Sequence, residues 1–487
     1  MKLSKLSLAV SGLCAAFAGP ALALVSTDYT NTSEFVGDTL NIRVSGATAV
    51  DPGFFASALR LCATGGSNTI HRYSISNNAV LFCNIDSTKL TAPAGKTKLA
   101  FYKHSQGGSG GGVGNVNSAT PIPFVDLAKI GANCAGATVT ASLDLDGTNP
   151  LPSFVDTLCT GAFGNTSNTS NAVSYIGVSD VEPQFFGGPA TFNNLKAEAL
   201  ASVIFAVPVT KNVFEVLQAQ QGLTVGALDE ANMPSLSQGQ ITSLYTQPQQ
   251  TWSNITGAPT GLADDEVYVA RRASTSGTQK TFEALIARTT NSTAGGRQCQ
   301  SGVDEFLSGL AAADNTASNS VCIAGNYTVN NSGSNQVITC MNKHQAGGRA
   351  AVGVLSTEFK QTTGGSLRFV KANGVAPTYA GVASGRYTYY GDISLNTRIG
   401  ATLPTASALG YTNFVTALKA GFANPATIEV VNGSNQTFGP SGLVALDVLA
   451  PVVPAADYTG ATARNPWSRL VGGIELTNCQ PGKAAAF

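Results

Sequence analysis

Ser45-Gly46-Ala47-Thr48, Gly107-Gly108-Ser109-Gly110-Gly111-Gly112, Ser179-Asp180, and Arg272 with Ser276-Gly277-Thr278 are the clusters whose residue types and spacing suit chemistry. Three of the four offer hydroxyls and unencumbered backbone N–H groups where a helix can begin, a combination that favours an anion. Arg272 adds a planar cation able to grip two oxygens at once. Asp180 is the odd member, because a carboxylate repels an anion unless the ligand carries a proton that the carboxylate accepts. A proton-bearing oxyanion meets that condition, and fully ionised sulfate does not. Taken singly, each cluster has an ordinary explanation: a flexible turn for the glycines, a helix cap for Ser45 to Thr48, a turn for Ser179-Asp180, a surface ion pair for Arg272. Their order along the chain is what singles them out.

All four clusters follow strand-like runs. LNIRVSGATA (40–49) leads into DPGFFASALRLC (51–62), which reads as a helix with Asp51 as cap, Pro52 at the first helical position and Phe55, Leu59 and Cys62 on one face. KLAFYKHSQGGSGGGVGNV (98–116) reads as a strand, a glycine-rich loop and a helix start. AVSYIGVSDVEPQFF (172–186) and ASVIFAVPVTKNV (201–213) contain buried-type strands, and VYVARR (267–272) precedes a helix from about Gln279 that carries Phe282, Leu285 and Ile286. Strands alternating with helices predict an α/β protein with mainly parallel sheets. Gly/Ser/Thr/Asn-rich stretches at 63–80, 132–171 and 290–340 read as excursions from that core.

The 487 residues suggest two or more lobes. Residues 1–23, with Lys2 and Lys5, an apolar run from Leu6 to Phe17 and Ala21-Leu22-Ala23, predict a cleavable signal peptide and a periplasmic or extracellular location. Without that segment the formal charge is 26 minus 28, or −2, since Lys2 and Lys5 leave the 28 basic residues while the 28 acidic ones stay. A near-neutral chain with 11% charged residues has no electrostatic footprint for nucleic acid, and no later apolar run is long enough to predict a membrane span. Cys62, Cys83, Cys134, Cys159, Cys299, Cys322, Cys340 and Cys479 are an even set in an exported chain, with no CxxC, and so are candidates for disulfides rather than metal ligands. Sequence-neighbour pairing would join Cys62 to Cys83 and Cys134 to Cys159, among about 105 possible connectivities.

The succession SGAT, GSGGG, GVSD, FAVPVTKNV, MPSLSQGQITSLYTQPQQTW (233–252) and RRASTSGT resembles the phosphate-binding proteins of phosphate ABC transporters, which are two-lobed periplasmic binding proteins of the type II class. Gly239, Ile241, Tyr245 and Pro248 match the family within 233–252, and VKANGVAPTYAGVASGRYTYYGDISL (370–395) resembles the segment that returns to the first lobe. The resemblance implies an α/β fold of two lobes, each a mainly parallel sheet flanked by helices. The first lobe would hold 24–206 plus 388–487 and the second 207–387, with crossovers near Ala206 and Tyr387. Ligand would lie between them at the carboxyl ends of the strands and be buried by hinge closure. Carried over by position, the phosphate contacts fall on Thr48, Ser109, Asp180, Arg272, Ser276, Gly277 and Thr278, with Ala47 and Gly108 as supporting backbone. Ala49 stands where the family has an aromatic residue, and Ser109-Gly110 where it has two serines. The ligand thus stays open among phosphate, a phosphate ester and another oxyanion. No cofactor is implied, and an ABC permease is the implied partner.

Three function classes follow: a solute-binding protein, an extracellular structural or surface-assembly protein on the same fold, and a secreted phosphate-ester hydrolase. Against hydrolysis, the three histidines, His71, His104 and His344, lie in no GxSxG or HExxH context. No catalytic residue is assigned, and His104, beside the glycine cluster, is expected to be a loop-surface histidine.

Overall fold

A computed structural model describes residues 28–31, 35–65, 68–75, 78–130, 134, 138–143, 151–159, 167–187, 189–247, 249–286, 313–315, 320–400, 405–432, 436–446, 462–471, 475–476 and 483–484. The predicted signal peptide and the roles given to Pro248, Cys299 and Cys479 lie outside these residues.

Two sheets share one long strand. In the first, the order is Phe154–Leu158 (β5), His71–Ile75 (β2), Asn78–Asn84 (β3), Lys98–His104 (β4), Thr39–Gly46 (β1), Ile176–Ser179 (β6), Tyr390–Arg398 (β12), Leu195–Thr210 (β7) and Leu443–Leu446 (β13). In the second it is Thr328–Asn331 (β9), Val267–Arg272 (β8), Ala350–Gly353 (β10), the far end of β7, and Leu367–Ala372 (β11). The 16-residue β7 pairs with β12 as far as Ile204 and with β11 from Val207 onward, so Phe205 and Ala206 sit where it passes between sheets. The pairings branch at β7 and never return to their start among the described residues, so neither sheet closes into a barrel.

Helices flank both sheets, which makes the protein α/β. The expected parallel pairing holds for β4–β1–β6 and for β9–β8–β10. In the first sheet antiparallel strands surround that centre, and the sheet is mixed. The physical reason is connection length: the step from Ile75 to Asn78 is too short for the crossover that a parallel pair needs. Strand β7 also runs against its neighbours in both sheets, since one continuous strand serves as the link.

A continuous cluster of buried apolar side chains runs through both sheets. Helix α1 (Asp51–Leu59) packs on α4 (Thr405–Ala423), with Phe54 against Phe422 at 5.2 Å between ring centroids, and Phe414 of α4 stacks on Phe101 of β4 at 5.5 Å. Each such fully buried ring stabilises the fold by about 1.5–3 kcal/mol. Cys62–Cys83 and Cys134–Cys159 are bridged as sequence-neighbour pairing predicts, and Cys322 is bridged to Cys340. The described part of the C-terminal segment lies over the crossovers. Trp467 Nε1 donates to Ala383 O at 3.1 Å, Asn465 Nδ2 to Ser202 Oγ at 2.9 Å, and Arg469 N to Asp392 Oδ2 at 2.9 Å. No described helix is long and apolar enough to cross a membrane.

Candidate functional site

The glycine cluster is not a loop. Gly108 to Ser118 form helix α2, and only Gly107, with φ of 85°, lies outside as its cap. Its glycines let it press onto the sheet: a Cβ on Gly112 would come within 2.6 Å of Gly46 Cα, and one on Gly46 within 3.1 Å of Gly112 Cα. That close approach brings the start of α2, with buried Ser109, beside the end of β6, where Ser109 Oγ accepts from Asp180 N at 3.1 Å.

From the second sheet, β8 ends at Arg272, and the helix α3 (Gly277–Thr281) begins after Ser276, two residues before the expected Gln279. Ser276 caps it by accepting from Gln279 N at 3.3 Å, so its hydroxyl serves the helix. Gln279 Oε1 takes the Arg272 N–H at 3.0 Å and fixes the turn. Thr278 Oγ1 donates to Asp180 Oδ2 at 2.8 Å, and Gly110 N donates to Thr275 O at 2.8 Å, so the two sheets' strand ends are in direct contact. Gly277 is required there: a Cβ would approach Asp180 Cβ to 2.8 Å.

Arg272 is 3% exposed. Its Nη1 donates to Ser334 Oγ at 2.8 Å and its Nη2 to Ser332 O at 3.3 Å, while Nε has no partner among the described residues. Asp180 is as buried, and its Oδ1 likewise accepts from no described residue. Burial pushes the Arg272 pKa down to about 10, opposed by the carboxylates of Asp180 and Glu358. Burial raises that of Asp180, opposed by the Thr278 hydroxyl and by Arg272 and Lys103.

The structure brings Ser109, Asp180, Arg272, Gly277 and Thr278 together, with Gly108 facing Thr275 and Ser276. Ala47 is held at the same strand ends, its N–H donating to Val178 O at 2.9 Å. Thr48 instead opens onto a cavity of about 360 Å³. Ala49 is buried, 1% exposed. Arg271 is turned away, its Nε bonded to Asn330.

Three charged residues near these strand ends have surroundings that sequence reading missed. Lys103, 1% exposed, binds Asp51 at 2.8 Å, Ser105 Oγ at 2.8 Å, and the carbonyls of Gly46 and Ala47 at 3.0 Å each. It therefore anchors the loop that carries Thr48. Asp51, expected to cap α1, does not: Val50 occupies the cap without a side-chain bond, and the Asp51 carboxylate is drawn to Lys103 and Ser105 because a buried ammonium needs a counter-charge. Glu358 lines the cavity with both carboxylate oxygens sealed from solvent and unpaired. Burial pushes its pKa up to about 8, and the nearby Ser356 hydroxyl offsets only part of that. The one available signal was the alternation of β4, which places Lys103 on the face shared with Phe101.

His104 is not at a loop surface. It closes β4, 5% exposed, with Nδ1 bonded to Pro123 O at 2.8 Å, and burial lowers its pKa to about 4. The one group of potential metal ligands found among the described residues is Cys322, Cys340 and His344, and its two sulfurs are joined in a disulfide.

No family model matches the chain, and no curated protein matches it. Among solved structures, it is similar to a protein from Clostridium perfringens described as a phosphate ABC transporter substrate-binding protein with bound phosphate, at 14% identity and a TM-score of 0.40, over 77% of this chain and 93% of that one. An ABC-type phosphate transport receptor from Vibrio cholerae matches at 12% identity and 0.37, over 80% and 96%. A phosphate-binding protein from Stenotrophomonas maltophilia matches at 11% and 0.36, over 82% and 99%. At these values each is a similarity in chain course alone.

Proposed function

We propose that the protein captures phosphate or a related proton-bearing oxyanion, without chemistry, between the two strand-end clusters. The lobes would be 24–206 plus 388–487 and 207–387, hinged where β7 and β12 cross. The observation that carries the reading is a buried, complementary pair of unsatisfied groups: Arg272 Nε, a cationic donor, and Asp180 Oδ1, an anionic acceptor. Each would cost on the order of 1–3 kcal/mol if left unpaired, more for a charged group. One tetrahedral ligand with both an acceptor oxygen and a hydroxyl satisfies both. Phosphate near neutral pH is such a ligand, because its relevant pKa is about 6–7. Sulfate offers no proton and would leave Asp180 facing a second anion.

Calorimetric titration of the full mature chain with phosphate and with sulfate tests this. Saturable heat with phosphate alone is expected. Arg272→Ala should abolish it, and Asp180→Asn should admit sulfate. Absence of heat with both anions in a folded protein would sink the reading.

A further inference from the structure

The Arg272–Asp180 clamp proposed above lies beside a cavity on one side. On the α2–α3 side it is shut, since Gly110 N meets Thr275 O at 2.8 Å and neither Gly110 nor Gly277 has room for a Cβ without displacing a neighbour. On the other side Ser334, which takes the Arg272 Nη1 hydrogen, also lines the 360 Å³ cavity, and Glu358 in the same wall lies within electrostatic reach of both Arg272 and Asp180. Thr48 lines it as well. An oxyanion held by Arg272 and Asp180 would therefore border this space.

The space exceeds what an inorganic oxyanion needs. Its 360 Å³ equals the liquid volume of about twelve waters, within the range of small-molecule sites. Its wall is mixed: Phe55 and Phe359 contribute apolar surface, Asn78 and Asn335 amides, and Thr48 and Ser74 hydroxyls, while the two Glu358 oxygens are turned out of reach of solvent. The other charges there are already neutralised, Asp51 by Lys103 and Arg72 by a two-point contact with Asp156 at 3.0 and 2.6 Å. Such a wall has nothing to offer a second charge and suits a neutral group carrying hydroxyls.

Building on the oxyanion reading above, we propose that the site takes a phosphomonoester of a polyol or sugar, its phosphoryl group between Arg272 and Asp180 and its hydroxyl-bearing body in the adjoining cavity. The ester keeps the ionisable P–OH that Asp180 requires, and its hydroxyls pair with Thr48, Ser74 and the two asparagines.

The test is calorimetric titration of the full mature chain with inorganic phosphate, glucose 6-phosphate and glucose. The ester should bind at least about tenfold tighter than phosphate, as two added hydrogen bonds would give. Glucose alone should bind far more weakly than the ester. Asn335 is exposed at the cavity rim, so Asn335→Trp can fill the space without disturbing the core. It should lower ester affinity about tenfold and leave phosphate affinity within about twofold. Phosphate binding as tight as the ester, together with ester binding indifferent to Asn335→Trp, would overturn the proposal and leave the oxyanion reading standing. Glucose binding as tight as the ester would also overturn it. Failure of both phosphorylated ligands to bind would remove both readings.

Discussion

Lys103→Met deletes the charge that holds the Thr48 loop to the first sheet. Lys103 makes four polar contacts of 2.8 to 3.0 Å, one of them the ion pair with Asp51, and is 1% exposed. Burial pushes the Asp51 pKa up and the Lys103 pKa down, so neither charge is comfortable there without the other. Breaking a buried pair from one side costs about 3–5 kcal/mol, because the remaining charge is stranded. The Asp51 side chain keeps 22% exposure and a 2.8 Å bond from the Ser105 hydroxyl, which points to the lower end, about 3 kcal/mol. In urea, with a slope of about 3 kcal/mol/M, the unfolding midpoint should drop by about 1 M. The assay is urea unfolding of Lys103→Met, Asp51→Asn and the double variant, followed by tryptophan fluorescence. If stranding of Asp51 is the cause, the double variant should cost at least about 1 kcal/mol less than the sum of the singles. A Lys103→Met variant within about 0.5 kcal/mol of wild type, or strictly additive losses, would refute the reasoning.

Three further outcomes are expected. Glu358 titrates near 8 in the folded state against an ordinary 4.5, so the fold holds its proton more tightly than the unfolded chain does. Its contribution is therefore complete below about pH 4.5 and fades as pH rises through about 8. The melting temperature without ligand should decline over that window, and Glu358→Gln should flatten the decline, whereas parallel curves for the two proteins would contradict the assignment. Gly277→Ala should wedge the clamp open, because the new Cβ would sit 2.8 Å from Asp180 Cβ. Phosphate affinity should fall more than about tenfold, with a larger radius of gyration by small-angle scattering, and an unchanged radius would argue against a closed clamp. Replacing Cys62 and Cys83 together by Ala opens a link of sequence separation 21 and should cost about 2–4 kcal/mol in urea unfolding; a loss below about 0.5 kcal/mol would show the bridge to be dispensable.

The clamp residues differ in how far they could be read from the sequence. Ser109, Asp180, Arg272, Gly277 and Thr278 each lie at a strand end or helix start, and that local context is written in neighbouring residues. The glycine cluster carried a misleading signal, since glycine-rich segments usually mark loops. It forms α2 because contact with Gly46 leaves no room for side chains, a gain that no local propensity contains. Asp51 looked like a cap for the same reason, its first neighbour being Pro52 and its true partner lying on β4.

The sequence by itself determined the α/β class and the strand-end placement of the Ser/Gly/Thr and Arg clusters, because periodicity and turn chemistry act over a few residues; Cys62–Cys83 and Cys134–Cys159 agree with neighbour order, which the sequence left open among about 105 connectivities. Tertiary structure alone decided what those groups touch. Asp180 meets Thr278 across 98 residues, and Arg272 meets Ser334 across 62. Lys103 is buried against Asp51 because β1 and β4 pair in parallel, with Ser45 opposite His104. The cavity that Glu358 borders exists only because Thr48, Phe55 and Asn78 are brought opposite Ser334 and Asn335, more than 250 residues away in the chain. Burial and charge pairing are sums over distant parts of the chain, and the buried, incompletely satisfied state of Arg272 and Asp180 arises there.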